Sequence, residues 1–424
     1  MVYTEAHDNL KPRCYDKVVQ LIRKGVDIPN PLTLDLGDEV SVEHISGKDV
    51  RIYPGCRIYG EQTAISAGAR IGYEGPVTID NCQLGPGVEL KGGYFNKSVF
   101  LEKANMGLGA QVREGCILEE EANGAHCVGL KQTILFPFVT LGSLINFCDC
   151  LMAGGTSRKD HSEVGSSYIH FNYTPDGDKT TASLIGDVPR GVMLNQPAIF
   201  LGGQGGMVGS LRMGYGNIVA AGSILRNDFP VDNKLIVGKT HSPKTIDFTP
   251  GMYANLHRIV GNNIIYLANL VALEEWYIHV RRPFLDAQEF GHLIYAGLLD
   301  KLALAKEERI KRLRMLAEKA KVSSDDSAGK ERELAGRKEF HEKFIEVEGL
   351  FTGSIESDTI EKDRDDFLSS FDKISGGSGK NYIAAIQDIP AHISEKGVVW
   401  LQGIVDTFCE KVKTIMPSLN MFGK

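Results

Sequence analysis

The chain has 424 residues, of which 42% are hydrophobic and 24% are charged, and its formal net charge is −7. This composition is typical of a soluble globular protein and argues against nucleic acid or a membrane surface as a general partner. The first residues lack the basic start and apolar run of a signal peptide, and no stretch approaches the ~20 apolar residues of a membrane span. We therefore expect a cytoplasmic protein whose eight cysteines are thiols.

A short helical lead-in is predicted for residues 1–31. Val18, Leu21, Ile22 and Val26 follow the spacing of one helix face. Prolines at positions 29 and 31 then stop the helix before the next part of the chain begins.

A six-residue apolar period starts near residue 32. It is clearest in three sets of residues: Ile65, Ile71 and Val77; Leu84 and Leu90; and Met106, Val112 and Leu118. This period fits neither a lone amphipathic helix nor ordinary hairpins. It fits a parallel β-helix in which each hexad forms one flat side and a turn, with the large residue in the interior. The sequence therefore predicts a hexapeptide-repeat solenoid over residues 32–245.

The period lapses over residues 155–187, where a histidine, a tyrosine, an amide and several charged side chains occur together. A regular scaffold that breaks its pattern over one polar stretch usually carries a functional site there. A second segment, GGQGG at 202–206, lacks the Gly-Lys-Ser/Thr ending of a phosphate-binding loop. We predict that it is a flexible loop over the cleft.

The apolar spacing becomes helical over residues 246–424, which predicts an α-helical C-terminal domain. A polar linker is expected near 323–330 and a hinge near 375–379. The charged runs of this domain are interpreted as solvated helix faces, and the sequence does not indicate its partner.

Three segments resemble a known enzyme family. NFCDC at 146–150 is followed by SRKDH at 157–161, HFNYTPDGDKTTASLIGD occupies 170–187, and MGYGNIVAAGSILRND occupies 213–228. Together with the hexads, these segments are similar to the left-handed β-helix acyltransferases. Residues 128–240 resemble in particular the C-terminal acetyltransferase domain of the bifunctional UDP-N-acetylglucosamine pyrophosphorylase and glucosamine-1-phosphate N-acetyltransferase.

The resemblance implies an acetyl-CoA-dependent N-acyltransferase that acts on an amino-sugar carrying a phosphate or a nucleotide. It also implies a homotrimer with sites between subunits. His161 takes the place of the family's general base and Asp149 that of the acidic residue near it. By the same correspondence, the substrate meets Asn172, Tyr173 and Lys179, and acetyl-CoA meets Ala221, Ser223 and Lys239. A histidine suits the base near neutral pH, because its ordinary pKa is ~6.5 and acyl transfer to an amine requires removal of the amine proton.

The sequence departs from the family at two cations. Phe136 stands where the family has an arginine that holds the sugar phosphate, and Leu151 stands where it has a lysine. Arg158 and Lys159 are the candidates to replace them. Uridyltransferase activity is not expected, since only about thirty residues precede the first hexads, too few for a nucleotide-binding domain.

An alternative interpretation makes His161 an exposed loop histidine and residues 172–173 a turn in an inherited scaffold. The chain would then be a non-catalytic protein that binds a sugar nucleotide or serves as an assembly scaffold, with a partner on its helical domain. A metal site is not predicted, because the spacing of His126, His161 and His170 does not resemble the paired histidines of related zinc-binding solenoids.

Overall fold

The computed structural model describes residues 11–174, 176–238, 243–245, 247, 253, 255–321, 331–353, 357–375 and 381–422. The predicted linker at 323–330 and residues 376–379 of the predicted hinge lie outside these ranges. No helix within them combines the length and the apolar character that crossing a membrane requires. All eight cysteines are free thiols.

The hexads form a parallel β-solenoid with three walls, which confirms the predicted fold class. Ile65, Ile71 and Val77 lie on three successive walls, and all three side chains are buried. Successive coils stack in register, so that Ile71 pairs with Ile52 on one side and with Leu90 on the other. The interior is therefore a column of large apolar side chains. Its left-handed sense stays a prediction.

The three walls are named A, B and C, and the chain passes through them repeatedly in that cyclic order. Wall A is a 10-stranded sheet of Arg51–Ile52, Arg70–Ile71, Glu89–Leu90, Asn105–Met106, Asn123–Gly124, Thr140–Leu141, Glu163–Val164, Phe200–Leu201, Ile218–Val219 and Leu235–Ile236. Wall B contains Asp35–Leu36, Arg57–Tyr59, Val77–Asp80, Gly93–Asn96, Ala110–Val112, Ile169–Phe171, Gly206–Val208 and Ile224–Leu225. Wall C contains Ala64–Ile65, Gln83–Leu84, Ser98–Phe100, Cys116–Leu118, Ser183–Ile185 and Arg212–Met213. Two longer strands, Gly129–Leu135 and Asn146–Met152, bend from wall B onto wall C and join both walls into one 16-stranded sheet.

Three segments leave the regular coils, and they are named by the corners at which the walls meet. A hairpin of Gly155–Ser157 and Asp160–His161 projects between walls C and A, at the CA corner. The described residues 172–174 and 176–182 project between walls B and C, and we call them the BC loop. A short helix, Val188–Gly191, occupies the CA corner of the next coil.

The prediction of a flexible loop at 202–206 is wrong. Phe200–Leu201 is a strand of wall A and Gly206–Val208 is a strand of wall B, so the residues between them form one turn at the AB corner. The glycines fit this turn because it stacks closely on its neighbours: a Cβ added to Gly202 would clash with the backbone nitrogen of Ala221 in the next coil.

The helices are numbered in chain order. They are α1 Tyr15–Lys24, α2 Val188–Gly191, α3 Leu256–Trp276, α4 Arg282–Asp286, α5 Gly291–Lys319, α6 Glu331–Thr352, α7 Asp358–Ser375, α8 Tyr382–Gln387 and α9 Ala391–Ile415. A π-helical turn, Tyr277–Arg281, continues α3 into α4. Short 3-10 turns are Pro31–Thr33, Val42–His44 and Pro417–Leu419. The described part of the chain after residue 255 is thus mainly helical, as its apolar spacing predicts.

Helix α1 lies against the first coils of the solenoid. Val18 and Leu21 are buried, whereas Ile22, predicted on the same face, is exposed. Lys17 Nζ donates hydrogen bonds to the carbonyls of residues 37, 38 and 40, and Gly25 ends the helix in the left-handed conformation.

The helical domain covers wall C. Val99, Ile117, Ile134, Leu151 and Leu184 form one outward-facing row in register on this wall, and all five are buried. Helix α5 packs against the earlier strands of the wall, and α3 packs against the later strand Ser183–Ile185. Burying one such side chain is worth roughly 1.5–3 kcal/mol, so the row contributes substantially to the interface between solenoid and helices.

A buried ion-pair cluster also joins the two parts. Arg281, in the π-helical turn, pairs with Glu119 and Glu120 of the solenoid, and the Tyr277 hydroxyl donates a hydrogen bond to Glu119. Burial raises the pKa of the Glu119 carboxyl above its ordinary value, and the positive charge of Arg281 offsets part of this effect. Such a cluster fixes the register of the helices on the coils, because separating its charges would leave them buried and unpaired.

Candidate functional site

Asp149 lies at the BC corner, in the middle of the strand Asn146–Met152. Its φ of 59° makes the bend that carries the strand from wall B onto wall C. The side chain is buried, and its Oδ1 accepts a hydrogen bond of 2.8 Å from Nη2 of Arg309 in α5. Burial raises the pKa of Asp149, and the guanidinium of Arg309 offsets part of that rise. Asp149 is thus held in an ion pair by the helical domain.

The BC loop lies one coil beyond Asp149 at the same corner. It carries three predicted substrate-binding residues: Asn172 is half-buried, and Tyr173 and Lys179 are exposed. Asp178 orders the loop from within by accepting hydrogen bonds from Thr174 and Thr180. Burial alone would raise the pKa of Asp178, but these hydrogen bonds lower it below its ordinary value. The structure therefore brings Asp149 and these three residues together.

The hairpin at the CA corner carries the other three polar candidates. Arg158 Nη1 donates to the carbonyls of Glu121 and Phe138 and to Thr140 Oγ1, at 2.9–3.1 Å. This guanidinium anchors the hairpin to neighbouring coils, so it is already engaged. Lys159 is exposed.

His161 ends the hairpin in a half-buried position. Its Nε2 lies 3.9 Å from a carboxylate oxygen of Glu163. Its Nδ1 is buried and has no hydrogen-bond partner among the described residues. A buried ring nitrogen without a partner is costly, and such groups in native proteins call for an explanation such as a catalytic role.

Wall C separates His161 from Asp149. The strand residues between the BC and CA corners span roughly 10 Å at 3.3 Å per residue. In one chain Asp149 therefore pairs with Arg309 and not with His161. The role of Asp149 beside the base stays a prediction.

Two of the predicted acetyl-CoA residues lie at the third corner. Ala221 is exposed at the AB corner, next to the turn at residues 202–205. Ser223 is buried, and its Oγ accepts a hydrogen bond of 3.0 Å from the backbone N–H of Gly238. Lys239 lies outside the described residues. A single chain thus presents predicted site residues at three corners: His161, Arg158 and Lys159 at the CA corner, Asn172, Tyr173 and Lys179 at the BC corner, and Ala221 and Ser223 at the AB corner.

The two departures from the resembled family have a structural cause. Leu151 belongs to the buried row of wall C, beneath the helical domain. Phe136 is also buried, and its ring lies so close to Gly191 of α2 that an added Cβ would approach it to 3.0 Å. A lysine or arginine at either position would bury a charge, so apolar residues there are required by the covering helices.

Two further residues, Arg309 and Lys319, contact this region from α5 and were not predicted from the sequence. A signal for Arg309 was present. Arg309 follows the helical spacing of Leu302, Ala305 and Leu313, which form a buried face of α5. A charged residue therefore lies on an apolar face of the helix. A charge at such a position indicates a buried partner.

The three histidines considered for a metal lie in separate surroundings. His126 Nδ1 is 2.8 Å from Ser143 Oγ on the surface, and His170 Nε2 is 2.8 Å from Ser183 Oγ in the interior. Burial lowers the pKa of His170 to about 4. Within the described ranges, no group of three or more histidine, cysteine or acidic side chains is placed to hold a metal ion.

Comparison with known proteins identifies relatives of half of the chain. No protein-family model matches it. The bifunctional protein GlmU of Thermotoga maritima is 26% identical over 218 residues, which are 50% of this chain and 42% of that protein. The homologues of this chain are bifunctional GlmU proteins. Those of Staphylococcus haemolyticus and Fervidobacterium nodosum are 27% and 28% identical over 212 and 213 residues, with 50% of this chain and 42% of each relative covered.

The chain spans about two fifths of the length of the curated GlmU relatives that it matches. The β-solenoid is consistent with a hexapeptide-repeat acetyltransferase domain, the part of the family that the sequence resembles. The other half of the chain lies outside this match.

Proposed function

We propose that this protein is an acetyl-CoA-dependent N-acyltransferase whose acceptor is an amino-sugar that carries a phosphate or a nucleotide. The observation that carries the proposal is the match to GlmU proteins, combined with polar residues that resemble the acetyltransferase signature and lie at exposed corners of the solenoid. In this reaction the acceptor nitrogen attacks the thioester carbonyl, a C–N bond forms, and the C–S bond to coenzyme A breaks. His161 takes the amine proton, and the departing thiolate takes up a proton.

We further propose a homotrimer in which neighbouring chains complete the site. Apolar residues are exposed on both sides of the AB corner. On wall A these are Phe200, Ile218 and Leu235, in register on successive coils, and on wall B they are Ile169, Phe171 and Ile224. Contiguous exposed apolar surface on a solenoid favours burial against another subunit.

Packing around the AB corner would set wall A of one chain against wall B of the next. The CA hairpin with His161 lies at the outer edge of wall A, and the BC loop lies at the outer edge of wall B. In that arrangement the hairpin and the loop would meet across the interface, so that one chain supplies the base and its neighbour supplies Asn172 and Tyr173. This arrangement agrees with the separation of these residues within one chain.

The direct test is transfer of the acetyl group from acetyl-CoA to a panel of amino-sugar phosphates and nucleotide-linked amino-sugars, measured as release of free thiol. His161→Ala should lower turnover by ~10²–10⁴-fold, the usual share of a general base. His126→Ala, which alters an exposed histidine of the same solenoid, is the matched control and should leave turnover unchanged.

Mixing two inactive chains tests the shared site. Oligomers formed from His161→Ala and Asn172→Ala chains should recover roughly a quarter of wild-type activity, because random assembly leaves that fraction of interfaces with two intact partners. Absence of recovery in properly assembled oligomers would place the site within one chain. A stable monomer in light scattering would remove the trimer.

A non-catalytic role in sugar-nucleotide binding or assembly is the second candidate. It is favoured by the ion pair between Asp149 and Arg309 and by the burial of Phe136 and Leu151. Calorimetry with acetyl-CoA separates the two candidates, since an acyltransferase must bind its acyl donor and a scaffold need not.

A further inference from the structure

The BC loop is held from outside by the helical domain. Because residues 172–174 and 176–182 lie between two strands and belong to neither, their carbonyls are not part of a strand ladder. Three of these carbonyls accept hydrogen bonds from helix side chains: Lys179 O from Arg309 Nη1 at 3.3 Å, Asp176 O from Lys319 Nζ at 2.6 Å, and Thr180 O from Asn263 Nδ2 at 3.1 Å. Satisfying these acceptors fixes the path of the loop backbone.

Arg309 has a special place among the three donors. Its Nη2 pairs with Asp149 while its Nη1 reaches the loop, so one planar guanidinium ties the corner of one coil to the loop of the next. The side chain is buried, which makes this geometry rigid. A lysine ammonium at the same position can keep the ion pair but lacks the fork that reaches both acceptors.

We propose that α5 supports the acceptor site from outside, and that its residues Arg309 and Lys319 are positioning residues that hold the BC loop in its binding conformation. The proposal rests on the proposed function, in which Asn172, Tyr173 and Lys179 bind the amino-sugar. Neither positioning residue touches the acceptor. Both act through the loop backbone, so their removal should weaken acceptor binding and leave the acyl donor unaffected.

The test uses the full chain with Arg309→Lys, Lys319→Met and both together. Lys319 is exposed, so its substitution should not impair folding, and Arg309→Lys keeps a positive charge beside Asp149. Lys311→Met, which removes an exposed lysine from the same helix, is the matched control. Amide hydrogen exchange of residues 176–182 and the separate values of KM and kcat are the readouts.

The double variant should exchange the loop amides at least ~10-fold faster, since loss of tertiary bonds lets a surface segment open locally. KM for the amine acceptor should rise by about tenfold, with kcat changed by less than about threefold and KM for acetyl-CoA unchanged, as expected for loss of acceptor binding. Lys311→Met should match the wild type in every readout.

Unchanged exchange of the loop in a folded double variant would overturn the proposal, as would a rise in KM for acetyl-CoA equal to that for the acceptor. If the wild type acetylates no amine in the panel, the proposed function fails by itself. Hydrogen exchange then still decides whether α5 holds the loop, because it does not depend on turnover.

Discussion

Acidification should destabilise the solenoid through His170. This side chain points into the interior from the strand Ile169–Phe171, next to the ring of Phe147 and bonded to Ser183. Burial lowers the pKa of His170 from 6.5 to about 4. Between pH 6.5 and 4, His170 is therefore mostly protonated in the unfolded chain and mostly neutral in the folded chain. The contribution of neutral His170 to the free energy of unfolding is therefore present above pH 6.5 and is lost as the pH falls through 4.

The magnitude follows from the two pKa values. The difference between 6.5 and about 4, multiplied by the ~1.4 kcal/mol that one pKa unit represents, gives a limit of ~3.5 kcal/mol. Linkage predicts a loss of ~2 kcal/mol at pH 5 and ~3 kcal/mol at pH 4, relative to pH 7.

Urea unfolding of the wild type and of His170→Gln at pH 7, 5 and 4 measures this loss. Glutamine does not titrate and can keep the hydrogen bond to Ser183, so the variant should lose ~2–3 kcal/mol less than the wild type on acidification. His126→Gln, at an exposed position, should behave as the wild type does. If wild type and His170→Gln lose stability in parallel, the reasoning about burial is refuted.

The other predictions concern stability and are measured by the urea midpoint. Leu151→Lys should cost at least ~3 kcal/mol, because the ammonium would be buried without a partner under the helices. Arg281→Met should cost about 3–5 kcal/mol by leaving two buried carboxylates unpaired, whereas a change under 1 kcal/mol would mean that the cluster is solvated. The raised pKa of Glu119 has the opposite pH sign to His170: its contribution is full at low pH and is lost as the pH rises above ~4.5, and Glu119→Gln should remove that slope. Gly93→Ala should destabilise by about 1–3 kcal/mol, since φ is 139° and the new Cβ would strike the Ala110 carbonyl of the next coil.

The interior of the solenoid was predictable because each hexad residue has a single environment. Ile65, Ile71 and Val77 each fill one wall, and the period alone locates them. Residues 92–105 also form regular strands, although their hexad signal is loose. Their aromatic Phe95 and Phe100 fill the same interior column and pack edge to face, which a search for aliphatic hexads does not register.

The cover over wall C was not predicted, because it joins segments far apart in the chain. A trace of it exists in the sequence. Ile117 stands between Cys116 and Leu118, so strand alternation points it outward, and an apolar residue at that position indicates a covering element. Periodicity identifies such a surface but does not say which helix lies on it.

The polar candidates were found as a group, but their distribution over the corners was not. Sequence order sets His161 close to Asn172, whereas the fold sends them to opposite edges of wall C. The contact between Arg309 and Asp149 spans 160 positions, and a local pattern carries no information on such a pair.

The helices over wall C also change how the molecule should come apart. In a solenoid without such a cover, each coil contacts only its two neighbours, so the coils can unfold one after another. Here Glu289, just before α5, bonds to Ser46 in an early coil, and Arg309, near the other end of α5, bonds to Asp149 several coils later. Helix α5 thus bridges several coils, and no coil along it can unfold without weakening the contacts of the helix with the others. We therefore expect the solenoid and its helical cover to unfold in one cooperative transition. Mechanical unfolding along the solenoid axis should then show one large force peak in place of a series of small ones.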